Sequence, residues 1–297
     1  MSHLVSAVIT THNRLNLLLQ AIESVKRQTY KNMECIVVDD ASSDETQKEM
    51  QKLADKGEIR YIRIDKEQSR GGNYARNQGI LAAKGKYIAF LDDDDEWLEC
   101  KIEKQVQALE KKTDCRFCYC GLIKNYNNGQ KIVPDKVENM REGDLSKRIL
   151  IGVLCTTSSM MVDRQLLLEV GLFDEQLSFW QEYELSIRLC MKTKVAAVKE
   201  NLVLYRINIS DKQRLTNKLE GWEQAVHYVS DKYEKQLSTL SAEELHERRM
   251  LINLDALWRC FYSGNKKAQR KYLKERFLLT HGKRDFFRFI CNRGMHL

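Results

Sequence analysis

The chain has 297 residues, 43% of them hydrophobic and 31% charged, which supplies a sizeable core and argues against disorder. The length suits one large domain with a smaller appendage. A formal net charge of +7 leaves acidic ligands, anionic lipid and nucleic acid open, while no apolar run is long enough to span a membrane.

Met1-Ser2-His3 runs directly into an apolar strand pattern without a cleavage region. With 9 cysteines, an odd number, this predicts reduced thiols in a cytoplasmic protein. Cys115, Cys118 and Cys120 are close together, but no second Cys/His pair at zinc-ligand spacing follows, so they read as core thiols.

Leu4 to Thr10 reads as a buried strand, followed by the polar break Thr11-His12-Asn13-Arg14 and a helix over Leu15 to Gln28. Cys35 to Val38 is a second strand, ending in Asp39-Asp40-Ala41-Ser42-Ser43-Asp44, where Ser43 or Asp44 can cap a helix running to Asp55. Ile59 to Ile64 is a third strand. Gly71-Gly72 turns into a helix from Asn73 to Lys84, and Tyr87 to Leu91 is a fourth strand running into Asp92-Asp93-Asp94-Asp95. Alternation at this spacing means parallel βαβ units, with strands apolar on both faces. The polar breaks follow the strands, which puts residues 10 to 14, 39 to 40 and 92 to 95 on the rim where open α/β sheets bind ligands.

Beyond Asp95 the pattern is mixed. Glu99 to Lys112 reads as a helix, Phe117 to Ile123 as a strand, and Asn127-Asn128-Gly129 as a hairpin turn. Asp144 to Leu150 reads as a short helix, Thr156 to Val162 as a strand with a helix from Arg164, Glu182 to Met191 as a helix and Val195 to Tyr205 as strands. From about Asp211 the chain is helical and charged. The expected organisation is a domain over 1–215 and a basic helical extension over 216–297.

Four adjacent carboxylates repel one another, and a hard divalent cation relieves that conflict. The bland alternative is a solvated acidic loop, but the position after an apolar strand favours the cation. Asp40 can accept hydrogen bonds from a nucleobase or ribose, or serve a negatively charged helix start. Glu182, in Trp180-Gln181-Glu182-Tyr183-Glu184-Leu185, reads on spacing alone as an ordinary first-turn glutamate. A carboxylate there could also act as a base toward a sugar hydroxyl.

Taken together these segments resemble family 2 glycosyltransferases. Val5 to Arg14 is similar to that family's first strand and loop, residues 37 to 44 to its second motif, and residues 71 to 79 to its third. Residues 85 to 95 carry its D-x-D element, and 157 to 160, 171 to 174 and 180 to 185 also fit. The usual Glu-Asp pair reads Gln181-Glu182 here. The resemblance spans roughly residues 4 to 206. It implies an α/β GT-A fold, Rossmann-like, with a mostly parallel sheet flanked by helices and a C-terminal helical extension. It also implies an inverting, metal-dependent transferase of the bacterial surface-polysaccharide type. Thr10, His12, Asp40 and Arg76 would hold the nucleotide-sugar, with Asp92 and Asp93 near the ribose and the metal's water shell. Asp94 would bind Mn²⁺ or Mg²⁺, and Glu182 would be the catalytic base. A UDP-sugar donor and a saccharide acceptor, free or lipid-linked, follow from the same resemblance. The alternative is a non-catalytic nucleotide-binding module of the same fold.

Arg206 and Arg214 lie just past these motifs and read as solvated, although either could reach a diphosphate. Lys266 to Arg293 interleaves basic residues with Tyr272, Leu273, Phe277, Phe286, Phe287, Phe289 and Ile290. That fits a helix packed on the main domain, or one touching the inner face of an anionic membrane. No nucleic-acid reader motif is present, so nucleic acid is not an expected partner.

Overall fold

The computed structural model describes residues 2–126, 129–208, 218–282 and 285. The chain divides into two compact units, Met1–Ser146 with Leu154–Asn208, and Lys147–Val153 with Ile209–Leu297.

The first unit is built on one mixed sheet. Strand β1 (Val5–Thr11) lies between β2 (Met33–Asp40) and β4 (Tyr87–Asp92), and β3 (Arg60–Ile64) extends the β2 side; all these pairings are parallel. The β4 side continues through β8 (Met160–Asp163), β6 (Cys115–Tyr126), β9 (Lys194–Ile207) and the short β5 (Glu96–Trp97), giving the order β3-β2-β1-β4-β8-β6-β9-β5. The β8 pairings and the β5 pairing are antiparallel, while the long β6–β9 ladder is parallel. Strand β7 (Lys131–Pro134) pairs antiparallel with the end of β6, forming the expected hairpin. Asn127 and Asn128 of its turn lie outside the described residues.

The sheet is covered on both faces. Val5, Ala7 and Ile9 of β1 pack with Leu18, Ala21, Ile22 and Val25 of helix α1 (Leu15–Lys26), and with Ile102, Val106 and Leu109 of α4 (Lys101–Lys111). The alternate residues face α3 (Gly72–Ala82). There a Cβ on Gly79 would come within 2.4 Å of Val8 Cγ1, so glycine permits the helix's close approach. Cys118 and Cys120 are buried in the core, as expected for structural thiols. Helix α2 (Thr46–Asp55) follows Asp44, whose Oδ1 accepts the Thr46 N–H at 3.1 Å.

Two expected elements differ. Residues 157–159 form a 3₁₀ turn and the strand begins only at Met160, because the Ser158 and Ser159 side chains and carbonyls bond to neighbours outside any ladder. The helix expected over 144–150 is a single 3₁₀ turn, Arg148–Leu150. Helices α5 (Arg164–Val170) and α6 (Gln181–Cys190) complete this unit. Asp163 caps α5 by accepting the Leu166 N–H, and Gly171 closes it at φ 90°.

The second unit is helical: α7 (Leu219–Lys232), α8 (Glu234–Leu237), α9 (Ala242–Ser263) and α10 (Lys266–Thr280). A capping box between Ser241 and Glu244 starts α9. Residues 147–153 are held to it: Arg148 forks onto Glu247 through two 2.5 Å bonds, and Arg248 donates to the Leu150 carbonyl at 2.6 Å. Helix α10 buries Tyr272 and Leu273, and the Tyr272 carbonyl accepts a bond from Asn253 of α9, while Lys266, Lys267, Arg270, Lys271 and Lys274 stay exposed. Phe286, Phe287, Phe289 and Ile290 lie outside the described residues. Among the described residues no helix is long and apolar enough to cross a membrane.

Candidate active site

Strand register builds the rim. Thr10 lies opposite Asp92 on β4 and Val38 on β2, and Thr11 lies opposite Asp39. The chain leaves β1 toward β2 on one side and β4 on the other, so the loops after β1 and β4 flank the crevice where strand order reverses.

The loops after β1 and β2 are clamped to each other. Asn13, at φ 54°, donates its N–H to Ser42 Oγ at 2.9 Å and accepts from the Ser43 N–H at 2.7 Å. His12 Nδ1 lies 2.6 Å from the Asp40 carbonyl oxygen and Nε2 lies 3.0 Å from Asn13 Nδ2, a pairing that assigns the proton to Nδ1. Asp39 is fully buried and consumed by the scaffold: it accepts from Tyr61, Arg63 and the Ser42 N–H. Asp40 differs. Its Oδ1 is buried and lacks a hydrogen-bond partner among the described residues. A buried acceptor without a donor is costly unless a ligand supplies one.

The four aspartates are not equivalent. Arg76 of α3 donates to Asp92 Oδ1 at 2.7 Å. Asp93 is buried, accepts from Thr11 Oγ1 at 2.8 Å and faces Arg14 at 3.1 Å. Burial pushes its carboxyl up to about 6, against the opposing pull of Arg14. Asp94 is more open, its side chain 24% exposed against 6% for Asp93, with Arg14 at 3.4 Å. Asp95 is fully buried, and burial together with the charges of Asp94 and Asp92 holds its carboxyl well above the usual range. It anchors the turn by accepting from Ser158 Oγ at 2.6 Å and from the Arg206 N–H at 3.1 Å. Ser158 Oγ also accepts the Asp92 N–H, and its carbonyl takes the Trp97 indole N–H at 2.9 Å.

Arg206, expected to be solvated, is instead 16% exposed. It donates to the Asp94 carbonyl at 3.2 Å and pairs with Glu96, so it braces the turn. Its isolated arginine signal could not reveal this, since its partners come from the aspartate turn and α1. Arg214 lies outside the described residues.

Helix α6 reaches the same place. Gln181 Oε1 accepts from Arg76 Nη1 at 3.1 Å, so one guanidinium joins Asp92 to the start of the helix that carries Glu182. Burial raises the Cys155 thiol pKa well above the usual range, and the Glu182 charge adds to the rise. Glu184 is buried and taken up by Arg188, at 2.6 Å in the shortest of their contacts. Trp180 is a core residue, packed edge-on to Tyr183 with ring centroids 4.8 Å apart.

The geometry thus joins His12 to Asp40, Thr11 and Arg14 to Asp93, and Arg76 to both Asp92 and Gln181. The segment before α6 is pinned by two amides of the third motif to which the resemblance gives no role. Asn73 donates to the carbonyls of Asp174 and Leu177, and Asn77 exchanges bonds with Phe173. Buried polar residues at i and i+4 on a helix were the available signal.

A glycosyl transferase family 2 model matches residues 6–170. The chain belongs to that family. As a family 2 glycosyltransferase it is 33% identical to the uncharacterized glycosyltransferase RP339 of Rickettsia prowazekii over 75% of its own length and 70% of the relative's. It is 41% identical over 107 residues, 36% of this chain and 41% of the other, to the Escherichia coli UDP-Glc:alpha-D-GlcNAc-diphosphoundecaprenol beta-1,3-glucosyltransferase WfaP. Staphylococcus aureus TarS has a similar fold: TM-score 0.62 and 14% identity, covering 95% of this chain and 50% of TarS. So does the Pyrobaculum calidifontis mannosyltransferase PcManGT in complex with GDP-Man and Mn2+, with TM-score 0.59 and 14% identity over 97% of this chain and 83% of that one. The fold is therefore GT-A, as the sequence resemblance implied, with C-terminal helices following it.

Proposed function

We propose that this glycosyltransferase is metal-dependent and inverting, moving a sugar from a UDP-sugar to a hydroxyl of a saccharide acceptor in surface-polysaccharide synthesis. The observation that carries this reading is the Arg76 bridge, which sets the helix of Glu182 against the aspartate turn on the ligand-binding rim. The UDP donor and a lipid-linked acceptor are suggested by the activity named for the E. coli relative. The cation is suggested by the Mn2+ complex of the archaeal neighbour.

Asp40 Oδ1 accepts a hydrogen bond from the nucleobase or ribose, beside Thr10 and His12. Among the described residues no three His, Cys, Asp or Glu side chains group as an ion cage. Asp94 fits a cation that takes its remaining ligands from phosphate and water, the usual arrangement for Mg²⁺ and Mn²⁺. When bound, the cation offsets charge on the departing diphosphate. Glu182 takes the proton of the acceptor hydroxyl as its oxygen bonds to the anomeric carbon. The bond from that carbon to the diphosphate oxygen breaks and its electron pair leaves with UDP, so configuration inverts. Gln181-Glu182 retains the carboxylate one methylene longer than the usual aspartate. The exposed lysines and arginines of α10 suit contact with anionic lipid at the inner membrane face, where a lipid-linked acceptor would lie, and flotation with anionic vesicles reads that contact.

UDP release from UDP-glucose and UDP-N-acetylglucosamine, with and without Mn²⁺, tests the reading. Wild type releases UDP only with Mn²⁺, and Asp94→Ala loses the stimulation. Equal release without any divalent ion removes the metal from the account.

A further inference from the structure

We propose that Gln181 is a positioning residue for Glu182, acting through Arg76. The inference rests on the glycosyltransferase reading and adds a residue to it.

Gln181 uses both ends of its amide. Oε1 accepts from Arg76 Nη1 at 3.1 Å, and Nε2 donates to the Ser178 carbonyl at 3.2 Å. Only a group with an acceptor at one end and a donor at the other can do this. A carboxylate would satisfy Arg76 and set its second oxygen against the Ser178 carbonyl. Between Ser178 and Gln181 the chain passes through Trp180 at φ 55°, a left-handed conformation unfavourable for a bulky residue. The Gln181–Ser178 bond closes across that bend.

Arg76 is equally committed. It is 9% exposed, its guanidinium stands 5.6 Å over the Phe173 ring, and Nη2 holds Asp92 at 2.7 Å. Asn73, one turn earlier on α3, fixes the carbonyls of Asp174 and Leu177. The arm of residues 173–181 is therefore tied to α3 along its length, and its last tie before Glu182 is Gln181. That tie is shared with Asp92, so the orientation of the base is referenced to the turn that receives the donor.

Gln181→Met removes both amide bonds at similar volume, and Gln181→Glu keeps only the one to Arg76. In steady-state transfer with saturating Mn²⁺, Gln181→Met lowers kcat about tenfold or more, since small misplacement of a catalytic group is expensive. Donor KM stays within about twofold. Gln181→Glu falls between that variant and wild type. Amide exchange in the first turn of α6 rises in Gln181→Met, a readout that does not need turnover. The proposal is overturned if kcat stays within about twofold of wild type, if the loss falls on donor KM alone, or if exchange is unchanged. If wild type transfers no sugar yet exchange rises in Gln181→Met, the positioning contact stands and the glycosyltransferase reading is what fails.

Discussion

Thr11 Oγ1 donates to Asp93 Oδ2 at 2.8 Å, a bond between residues 82 apart in sequence that joins the end of the first strand to the aspartate turn. It ties the end of β1 to the turn after β4, where Asp93 is buried. Asp92 and Asp94, on either side, keep more open side chains, 28% and 24% exposed. The turn is therefore uneven: Asp93 and Asp95 are buried, while Asp92, held by Arg76, and Asp94, facing Arg14, are more exposed.

Asp40 carries a buried oxygen without a partner among the described residues, so its replacement separates binding from stability. Asp40→Ala lowers affinity for UDP about tenfold or more, the worth of a hydrogen bond involving a charged group. Its unfolding midpoint stays level or rises, because an unpaired buried acceptor is removed. Calorimetric titration and thermal unfolding of the same sample check both halves.

Ser158 holds the turn at two points, Asp92 N–H and Asp95 Oδ2. Ser158→Ala leaves two buried polar groups unpaired and costs about 1–3 kcal/mol in urea denaturation. It also raises the Mn²⁺ concentration needed for half-maximal activity. An unchanged denaturation midpoint would show that the two bonds contribute nothing.

Lys101 is fully buried, 4.1 Å above the Trp97 ring and bonded to Gln105 at 2.7 Å. Burial pushes its ammonium down to about 8 from the ordinary 10.5. The unfolded chain therefore binds more protons between those two values, and stability from this group rises with pH across that window. It is fully present above 10.5 and lost as pH falls through 8. Below 8 the buried charge costs roughly 3 kcal/mol, discounted by the cation–π contact and the bond to Gln105. Lys101→Met flattens the rise in denaturation free energy between about pH 8 and 10. A wild-type slope in the variant would mean that another group titrates there.

Much of the rim was legible because its strands are buried on both faces. Residues 4 to 10, 35 to 38 and 87 to 91 could be read as continuous apolar runs, and the polar residues after them fell where parallel strands end. The motif resemblance added Arg76 and Glu182, which no local pattern distinguished. Elements set by long-range contacts were not legible. The two-residue strand β5 exists because Glu96 and Trp97 pair with Leu204 and Val203. Residues 157–159 looked like strand, since their role is to bond side chains to the aspartate turn. Arg206 looked solvated because its partners lie more than a hundred residues away in Asp94 and Glu96. The role of Asp95 is set by Ser158 and the Arg206 N–H, partners far away in sequence.

Glu182→Gln tests the central claim most directly, with transfer and UDP binding measured on one preparation. The account predicts that transfer falls by about a hundredfold to ten-thousandfold, the range for loss of a general base, while UDP binds in the presence of Mn²⁺ as it does to wild type. Transfer at the wild-type rate would contradict it and move the base away from α6.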